Sequence, residues 1–357
     1  PNTALLGLKL LATDQISGGV PNITCIVKGT KVLQPKIMNG AVEVDWEDYY
    51  WDDDDEDWKL IEDDTVLSWD GSTYVIKWCA NPAWCMRDLL VSSRYGLGEF
   101  MTTAHIDLAS FLEMAKWCDE LVPDGSGGYE KRMRFDVVID SATRASDLIA
   151  QIASAFRGMA FYSDGTIKFK VDKPESMVQI FGMGNIIKGT FQQQWRSKRD
   201  IYNVIEVQYL DSEKGYRQQR VACIDEAGIS AGDPVRKRQI QIFTTRITQA
   251  LREGRYAMLT NKHVDESISF KAAIDAVAVQ AGDVIGICHD LPQWGYSGRV
   301  QTGSTTSLVK LDQTVVVSAG STYKVKVRFA DDTIEERTVT DGAGSYTQVN
   351  VSPAFSQ

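Results

Sequence analysis

The chain has 357 residues, 43 % apolar and 24 % charged, ordinary values for a folded protein of about two to three domains. They exclude a wholly disordered chain, a collagen-like chain and a small disulfide scaffold. The formal net charge is -10, from 38 basic and 48 acidic residues, and it is concentrated in one place. Between Glu43 and Asp64 stand 13 acidic residues and one lysine, which leaves 37 basic and 35 acidic residues elsewhere. The composition as a whole carries no basic nucleic-acid footprint. No stretch approaches ~18 uninterrupted apolar residues, so no membrane-spanning helix is expected. No signal peptide is visible at the start. The chain opens at Pro1, mid-pattern, and is expected to be an excised piece of a longer protein.

In chain order, TALLGLKL reads as a strand, and ITCIVKGTKVL as a second, half-buried one after a turn-rich stretch. The acidic tract follows. Its six adjacent carboxylates, Asp52, Asp53, Asp54, Asp55, Glu56 and Asp57, repel one another and predict a mobile, solvated loop over residues 45–64. A calcium loop of the EF-hand type fails, because its sixth position, counted from Asp52, is Asp57 and not glycine. Trp46, Trp51 and Trp58 interleave with the acids. Aromatic rings in such a loop must pack down or meet a partner, so a docking surface for a basic partner stays open. TVLSWDGSTYVIKW then predicts a hairpin turning at Asp70-Gly71.

From Asn81 the texture becomes helical. Asn81 is a plausible N-cap before Pro82, with Trp84, Leu89 and Leu90 at helical spacing and Gly96 and Gly98 as terminators. HIDLASFLEMAKWCDELV sets Ile106, Leu108, Phe111, Leu112, Met114, Ala115, Cys118 and Leu121 on one stripe, with Asp107 or Ser110 as cap. RMRFDVVID predicts a strand. SATRASDLIAQIASAFRG predicts an amphipathic helix burying Leu148, Ile149, Ile152, Ala153 and Phe156, with Gly158 just past its end. MAFYSDGTIKFKVDKP predicts a hairpin turning at Asp164-Gly165. Together these make a small β-α-β-β unit.

Beyond Pro174 the candidate strands are MVQIF, IIKGTFQQQW, YNVIEVQYLD, QQRVACID and RQIQIF. TRITQALREGRYAMLTNKH predicts a helix with Ile247, Ala250, Leu251, Tyr256 and Leu259 on or near one face. ESISFKAAIDAVAVQAGDVIGIC returns to strand, and the tail from Val300 is all-β by pattern.

Motifs for chemistry are scarce. No G-x-G-x-x-G, G-x-S-x-G or H-E-x-x-H occurs, and Gly182-Met183-Gly184-Asn185 reads as a turn. Six cysteines (Cys25, Cys79, Cys85, Cys118, Cys223, Cys288) form no C-x-x-C and suggest reduced, buried thiols. The three histidines are His105, His263 and His289, and Cys288 with His289 makes a poor zinc pair, since neighbours on a strand face opposite ways. Glu99, Asp107 and Asp140 read as cap or surface acids. The basic clusters Trp195–Arg199 and Arg236–Arg238 read as charged loops or subunit contacts. No catalytic, cofactor-binding or metal residue is nominated, and no cofactor is expected.

Two stretches carry a resemblance. NPAWCMRDLLVSSRYGLGEF, residues 81–100, is similar to the N-P-A-W…D-L-L…R-Y-G-L-G signature of the tail-tip attachment proteins of lambda-like phages, the protein J family. DIYNVIEVQYLDSEKGYRQQRV, followed by TTRITQALREGRYAMLTNKH and ESISFKAAIDAVAVQAGDVIGICHD, resembles the same family's hub region in sequence and order. The likeness covers roughly residues 3–340, and the acidic tract is not part of the pattern. The resemblance implies an α+β, β-rich multidomain chain: β-barrel hub domains with inserted small α+β domains, related to baseplate hubs and type VI spike proteins. The implied division is 1–35 as part of a first hub barrel, 36–80 as the acidic loop and hairpin, and 81–128 as a helical insertion. Residues 129–175 form the β-α-β-β domain, 176–302 a second barrel region with its helix, and 303–357 a small all-β domain.

It further implies a non-enzymatic component of a phage or prophage tail tip, assembled in the host cytoplasm and working as a trimeric conduit that anchors the attachment fibre. Its implied partners are distal-tail, tape-measure and other tail-tip proteins, and the host receptor through a C-terminal portion outside this chain. DNA would pass only in transit, without stable membrane insertion. The rivals are a tail-associated hydrolase, which lacks a visible acid/base or nucleophile cluster, and a carbohydrate-binding module, suggested by nine tryptophans, six of them between Trp46 and Trp84.

Overall fold

A computed structural model describes residues 26–139, 144–292 and 294–356; the expected first strand, TALLGLKL, lies outside them. The described chain is β-rich, with five α-helices and sheets of two to four strands. Its apolar side chains gather into three cores, the first drawn from Val32 to Val171, the second around Ile205 and Ala250, the third around Val309 and Val349.

In the first core the expectation of a solvated acidic loop is corrected. Strands Tyr49–Asp52 and Asp57–Leu60 pair as a hairpin that brings Trp51 opposite Trp58, and Val66–Leu67 adds a third strand. Trp58 meets Tyr49 and Trp51 edge-on, with ring centroids 5.3 and 5.0 Å apart. Trp46, Tyr49, Trp51 and Trp58 are buried, while residues 53–57 at the tip stay exposed. Large rings bury far more apolar surface than surface carboxylates can oppose, because exposed charges are screened by water and salt. Lys59 relieves the tip further by binding Asp52 at 2.6 Å and also Asp55, and this lysine holds the Asp52 carboxyl below its usual range.

The hairpin expected around Asp70-Gly71 is also corrected. The turn forms, with Asp70 Oδ1 accepting from the Ser72 and Thr73 amides. Its flanks diverge, however: Val66–Leu67 joins the acidic hairpin, whereas Tyr74–Trp78 pairs antiparallel with Lys31–Pro35. That second strand is shorter than expected, since residues 26–30 are not in it.

Helix α1 spans Pro82–Val91, and Asn81 caps it by accepting from the Ala83 amide at 2.9 Å. The chain then folds back on the helix end, so closely that a Cβ at Gly96 would stand 1.9 Å from the Leu89 carbonyl oxygen. Helix α2 spans Leu108–Asp119 and packs on α1. Strand Leu121–Pro123 pairs with Tyr129–Lys131. The strand expected at RMRFDVVID does not form over its described residues. Instead the amides of Met133, Phe135 and Asp136 bind the carbonyls of Cys118, Ala80 and Phe243 in turn, so the segment laces three elements together rather than extending one ladder. The β-α-β-β unit therefore lacks its first strand. Helix α3 forms at Ala145–Ser154 but ends earlier than expected: Ile152 and Ala153 are buried, Leu148 and Ile149 only partly, and Phe156 is buried in the turn past its end. The hairpin Gly158–Ser163/Thr166–Val171 is as expected, with Asp164 and Gly165 both at positive φ, as a type I′ turn requires.

The second core is a three-stranded sheet, in which Val204–Asp211 lies between antiparallel Arg217–Ile224 and parallel Lys237–Gln241. The short helix α4, Glu226–Ser230, follows, and the long helix α5, Ile247–His263, lies on the sheet. Gly254 lets it approach, since a Cβ there would meet Val207 and Cys223 at 2.6 and 2.7 Å. The expected apolar stripe of α5 is corrected: Ile247, Leu251 and Leu259 are 39–43 % exposed, and the buried positions are Gln249, Ala250, Glu253, Gly254, Met258 and Asn261. Of the other expected strands, Gln179–Phe181 pairs parallel with Ile285–Ile287, and Gln192–Trp195 pairs antiparallel with Glu266–Ser269; residues 186–190 are not strand. The tail is all-β as expected. Its antiparallel sheet runs Leu308–Val317, Gly344–Ser352, Ile334–Val339, Lys324–Arg328. No helix among the described residues is long and apolar enough to cross a membrane.

Phe156 is fully buried, packed near Phe169, whereas Leu148 only borders the core. Phe156→Ala is expected to cost about 3–5 kcal/mol in urea unfolding, and Leu148→Ala clearly less. An unchanged midpoint for Phe156→Ala would show that the turn after α3 does not sit in the core.

Candidate functional site

The chemistry-bearing side chains of the described residues converge on a joint, not on an open cleft. Helix α5 places Gln249 and Glu253 one turn apart, and both turn away from water. Gln249 Oε1 accepts from Thr244 Oγ1 at 2.9 Å and from the Arg134 amide at 3.1 Å, while its Nε2 donates to the Arg134 carbonyl at 3.1 Å. Glu253 is gripped by Arg157 through Nε and Nη2, both at 2.8 Å. The guanidinium also lies 3.9 Å from the Tyr256 ring centroid, and Tyr256 donates to Asp172. On the outer turn, Glu130 binds Arg246 and Arg252, and Arg252 reaches the Arg132 carbonyl at 2.8 Å. A side chain–side chain link runs from Thr245 to Asp136 at 2.8 Å, and from there to Arg134. These bonds make the joint a bolt between segments 129–172 and 244–256.

A second buried polar knot lies under the acidic hairpin. Asp119, 0 % exposed at the end of α2, accepts from Trp46 Nε1 at 2.8 Å. Lys131, 5 % exposed, stands 3.5 Å from Asp119 Oδ1 and donates to the Trp46 carbonyl. Its Nζ lies 3.9 and 4.5 Å from the Trp46 and Tyr49 ring centroids. Burial pushes the Asp119 carboxyl up and the Lys131 amine down, and the attraction between them opposes both shifts.

None of Lys131, Asp119, Gln249, Glu253 and Arg157 was singled out by the sequence. One signal was there: in α5, Gln249 and Glu253 repeat beside Ala250 and Gly254 at the same four-residue spacing, and small residues mark the face that approaches a neighbour.

The residues singled out from sequence play structural parts. The two basic clusters are anchored separately. Asn203 holds the second by accepting from the Arg236 amide at 2.8 Å and donating its own amide to the Arg236 carbonyl. Asn261, at the end of α5, binds the Tyr202 amide and the Asp200 carbonyl, and Arg196 bonds the Asn261 carbonyl. The basic charge here is partly compensated, with Lys237 on Glu206 and Lys262 on Asp225, making a mixed-charge surface rather than a phosphate track. Asn185 closes the turn at Gly182. His289 stacks on Phe191 at 4.0 Å, and its Nδ1 accepts from the Leu291 amide. Asp107 begins α2 without capping it through its side chain, Glu99 is exposed, and Asp140 lies outside the described residues. Among the described residues no group of three or more His, Cys, Asp and Glu could hold a metal ion. The six tryptophans from Trp46 to Trp84 lie in or against the first core, with Trp46, Trp51, Trp58 and Trp84 buried and Trp69 and Trp78 partly so.

The surface does leave apolar side chains in water. Besides Ile247, Leu251 and Leu259 on α5, Ile274 and Val277 on one 3-10 turn are 84 % and 83 % exposed.

Burial raises the thiols of Cys79, Cys118, Cys223 and Cys288, and that of Cys85 to about 12. Since the thiolate is the nucleophile, iodoacetamide at neutral pH should leave these five unmodified in the native chain and alkylate them in denaturant. Mass spectrometry reads both states, and rapid native alkylation of Cys79 or Cys118 would contradict their placement.

Residues 144–302 match the model of a family described as a putative phage tail protein, Phage-tail_3. The chain is 36 % identical over 239 residues to the tip attachment protein J of Escherichia phage SECphi27, covering 65 % of this chain and 20 % of that protein. It is 25 % identical over 336 residues to the tip attachment protein J of Escherichia phage SECphi4, covering 91 % of this chain and 27 % of that protein. The chain thus spans a fifth to about a quarter of the length of these relatives. Among solved structures, a chain from the virion of a native gene transfer agent particle aligns at 12 % identity with a TM-score of 0.34, over 58 % of this chain and 38 % of that one. The 43 kDa tail protein of prophage MuSo2 from Shewanella oneidensis aligns at 12 % identity with a TM-score of 0.30, over 60 % and 54 %. At those scores neither structure carries an argument about the fold. The two sequence matches agree with the signature at residues 81–100: over most of its length the chain is similar to the tip attachment proteins J of phage tails.

Proposed function

We propose that this chain is a structural piece of a virion tail tip, in which it forms part of the central hub, surrounds a conduit and helps anchor the attachment fibre. The observation that carries the reading is the likeness to tip attachment protein J over 91 % of the chain. The two polar bolts support it, since a hub must transmit load without coming apart, and here buried charged pairs tie segments distant in sequence. In this reading residues 1–35 and 176–302 belong to hub barrels, 81–128 and 129–175 to inserted parts, and 303–357 to a small β domain. The working form is a homotrimer, in which each copy buries the same surfaces against two neighbours. The exposed rows on α5 and at Ile274 and Val277 are apolar surface of the kind such contacts cover. Other tail proteins complete the assembly, the host receptor is met through a C-terminal portion, and DNA passes in transit. The wall should not hold phosphate, because each neutralised phosphate adds salt-sensitive affinity. No catalytic role is proposed.

Electron microscopy of the longer protein tests this directly, with threefold or pseudo-sixfold particles expected. A stable monomer, or a ring of another order, would overturn the hub reading.

A further inference from the structure

The knot of Lys131, Asp119 and Trp46 is arranged as the two ends of an amide. Lys131 Nζ stands 3.5 Å from Asp119 Oδ1, inside the aromatic walls of Trp46 and Tyr49. Both side chains are more than nine-tenths buried. The two oxygens of Asp119 are not equivalent: Oδ1 accepts from the Trp46 indole at 2.8 Å, while Oδ2 is buried without a hydrogen-bond partner. A buried, unpartnered carboxylate oxygen is costly and calls for an explanation. On the other side, Nζ already donates one hydrogen to the Trp46 carbonyl. One residue therefore offers an N–H to a carbonyl oxygen and a carbonyl to an N–H, the two partners a single buried amide needs.

We propose that Lys131 and Asp119 condense into an intramolecular isopeptide bond between Nζ and Cγ. The starting pair is the ammonium and the carboxylate. One proton passes from Nζ to the carboxylate, ending on Oδ2, and burial lowers the cost of this neutralisation. The freed lone pair of Nζ adds to Cγ. Negative charge grows on Oδ1, where the Trp46 indole N–H already points. A second proton moves from nitrogen to Oδ2, the Cγ–Oδ2 bond breaks and water leaves. One C–N bond forms and one C–O bond is lost, with no change in oxidation state and no co-reactant. The product keeps both hydrogen bonds to Trp46 and removes the orphaned oxygen and both buried charges. It ties the end of α2 to strand Tyr129–Lys131 covalently, beneath the acidic hairpin. Holding the two groups in place supplies the proximity such a condensation requires.

Intact-mass measurement of the purified chain tests it. The expected mass is that of the sequence less one water, and proteolytic mapping should yield a branched peptide joining Asp119 to Lys131. Lys131→Met and Asp119→Ala should each restore the full sequence mass, and mass is read whether or not the variant folds well. Full mass in the unmutated chain, with Asp119 and Lys131 in separate unmodified peptides, would overturn the proposal. So would a water loss that persists in Lys131→Met, since that would arise elsewhere, as in a cyclised Asp-Gly turn.

Discussion

Glu253 is a carboxylate placed where water does not reach, 5 % exposed on the inner face of α5, and much of the architecture follows from satisfying it. A buried carboxylate left alone costs several kcal/mol, of order 3–5 when its partner is removed. Arg157 meets it with two parallel hydrogen bonds of 2.8 Å, the strongest geometry available to such a pair. To do so, Arg157 sits at the tight turn between α3 and its hairpin with φ of +56°. That backbone region is unfavourable for a residue with a Cβ, by roughly 1–3 kcal/mol. The strain is tolerated because the turn aims the guanidinium at Glu253 and over Tyr256. Gln249 extends the same bolt one turn earlier to the backbone at Arg134. Helix α5 is consequently the common wall of two cores: Ala250, Gly254 and Met258 face the three-stranded sheet, and the polar row faces the segment behind α2.

The acidic tract shows a second balance. Like charges concentrated along a chain favour an extended loop, but here each charged stretch alternates with rings that bury well. The hairpin resolves the conflict by segregation, with tryptophans inward and the carboxylates at a solvated tip with Lys59 beneath. The acidity of the chain is thus concentrated in one stretch, residues 43–64.

Much of the local structure was legible in the sequence. Asn81-Pro82 fixes the start of α1, Asp164-Gly165 fixes a hairpin, and Ile152 and Ala153 mark the inner face of α3, because each signal acts within a few residues. What escaped was set by distant partners. Tyr74–Trp78 looks like half of a hairpin until Lys31–Pro35 competes for it and wins. Residues 133–136 look like a strand, but their amides find three different elements. The inner face of α5 was misassigned because apolar periodicity cannot anticipate a glutamate whose partner lies 96 residues away. The resemblance carried by residues 81–100 and by the order of elements after Asp200 pointed to the tail-tip relatives, which the absence of catalytic motifs could not do.

The buried polar row makes α5 and the segment behind α2 one mechanical unit. Native-state hydrogen exchange tests this most directly. The amides of residues 250–258 and those of Met133, Phe135 and Asp136 should open together with a common free energy, and Arg157→Met should lower both by the same amount. Exchange of Met133, Phe135 and Asp136 while the α5 amides remain protected, or an Arg157→Met effect confined to the hairpin, would contradict the account.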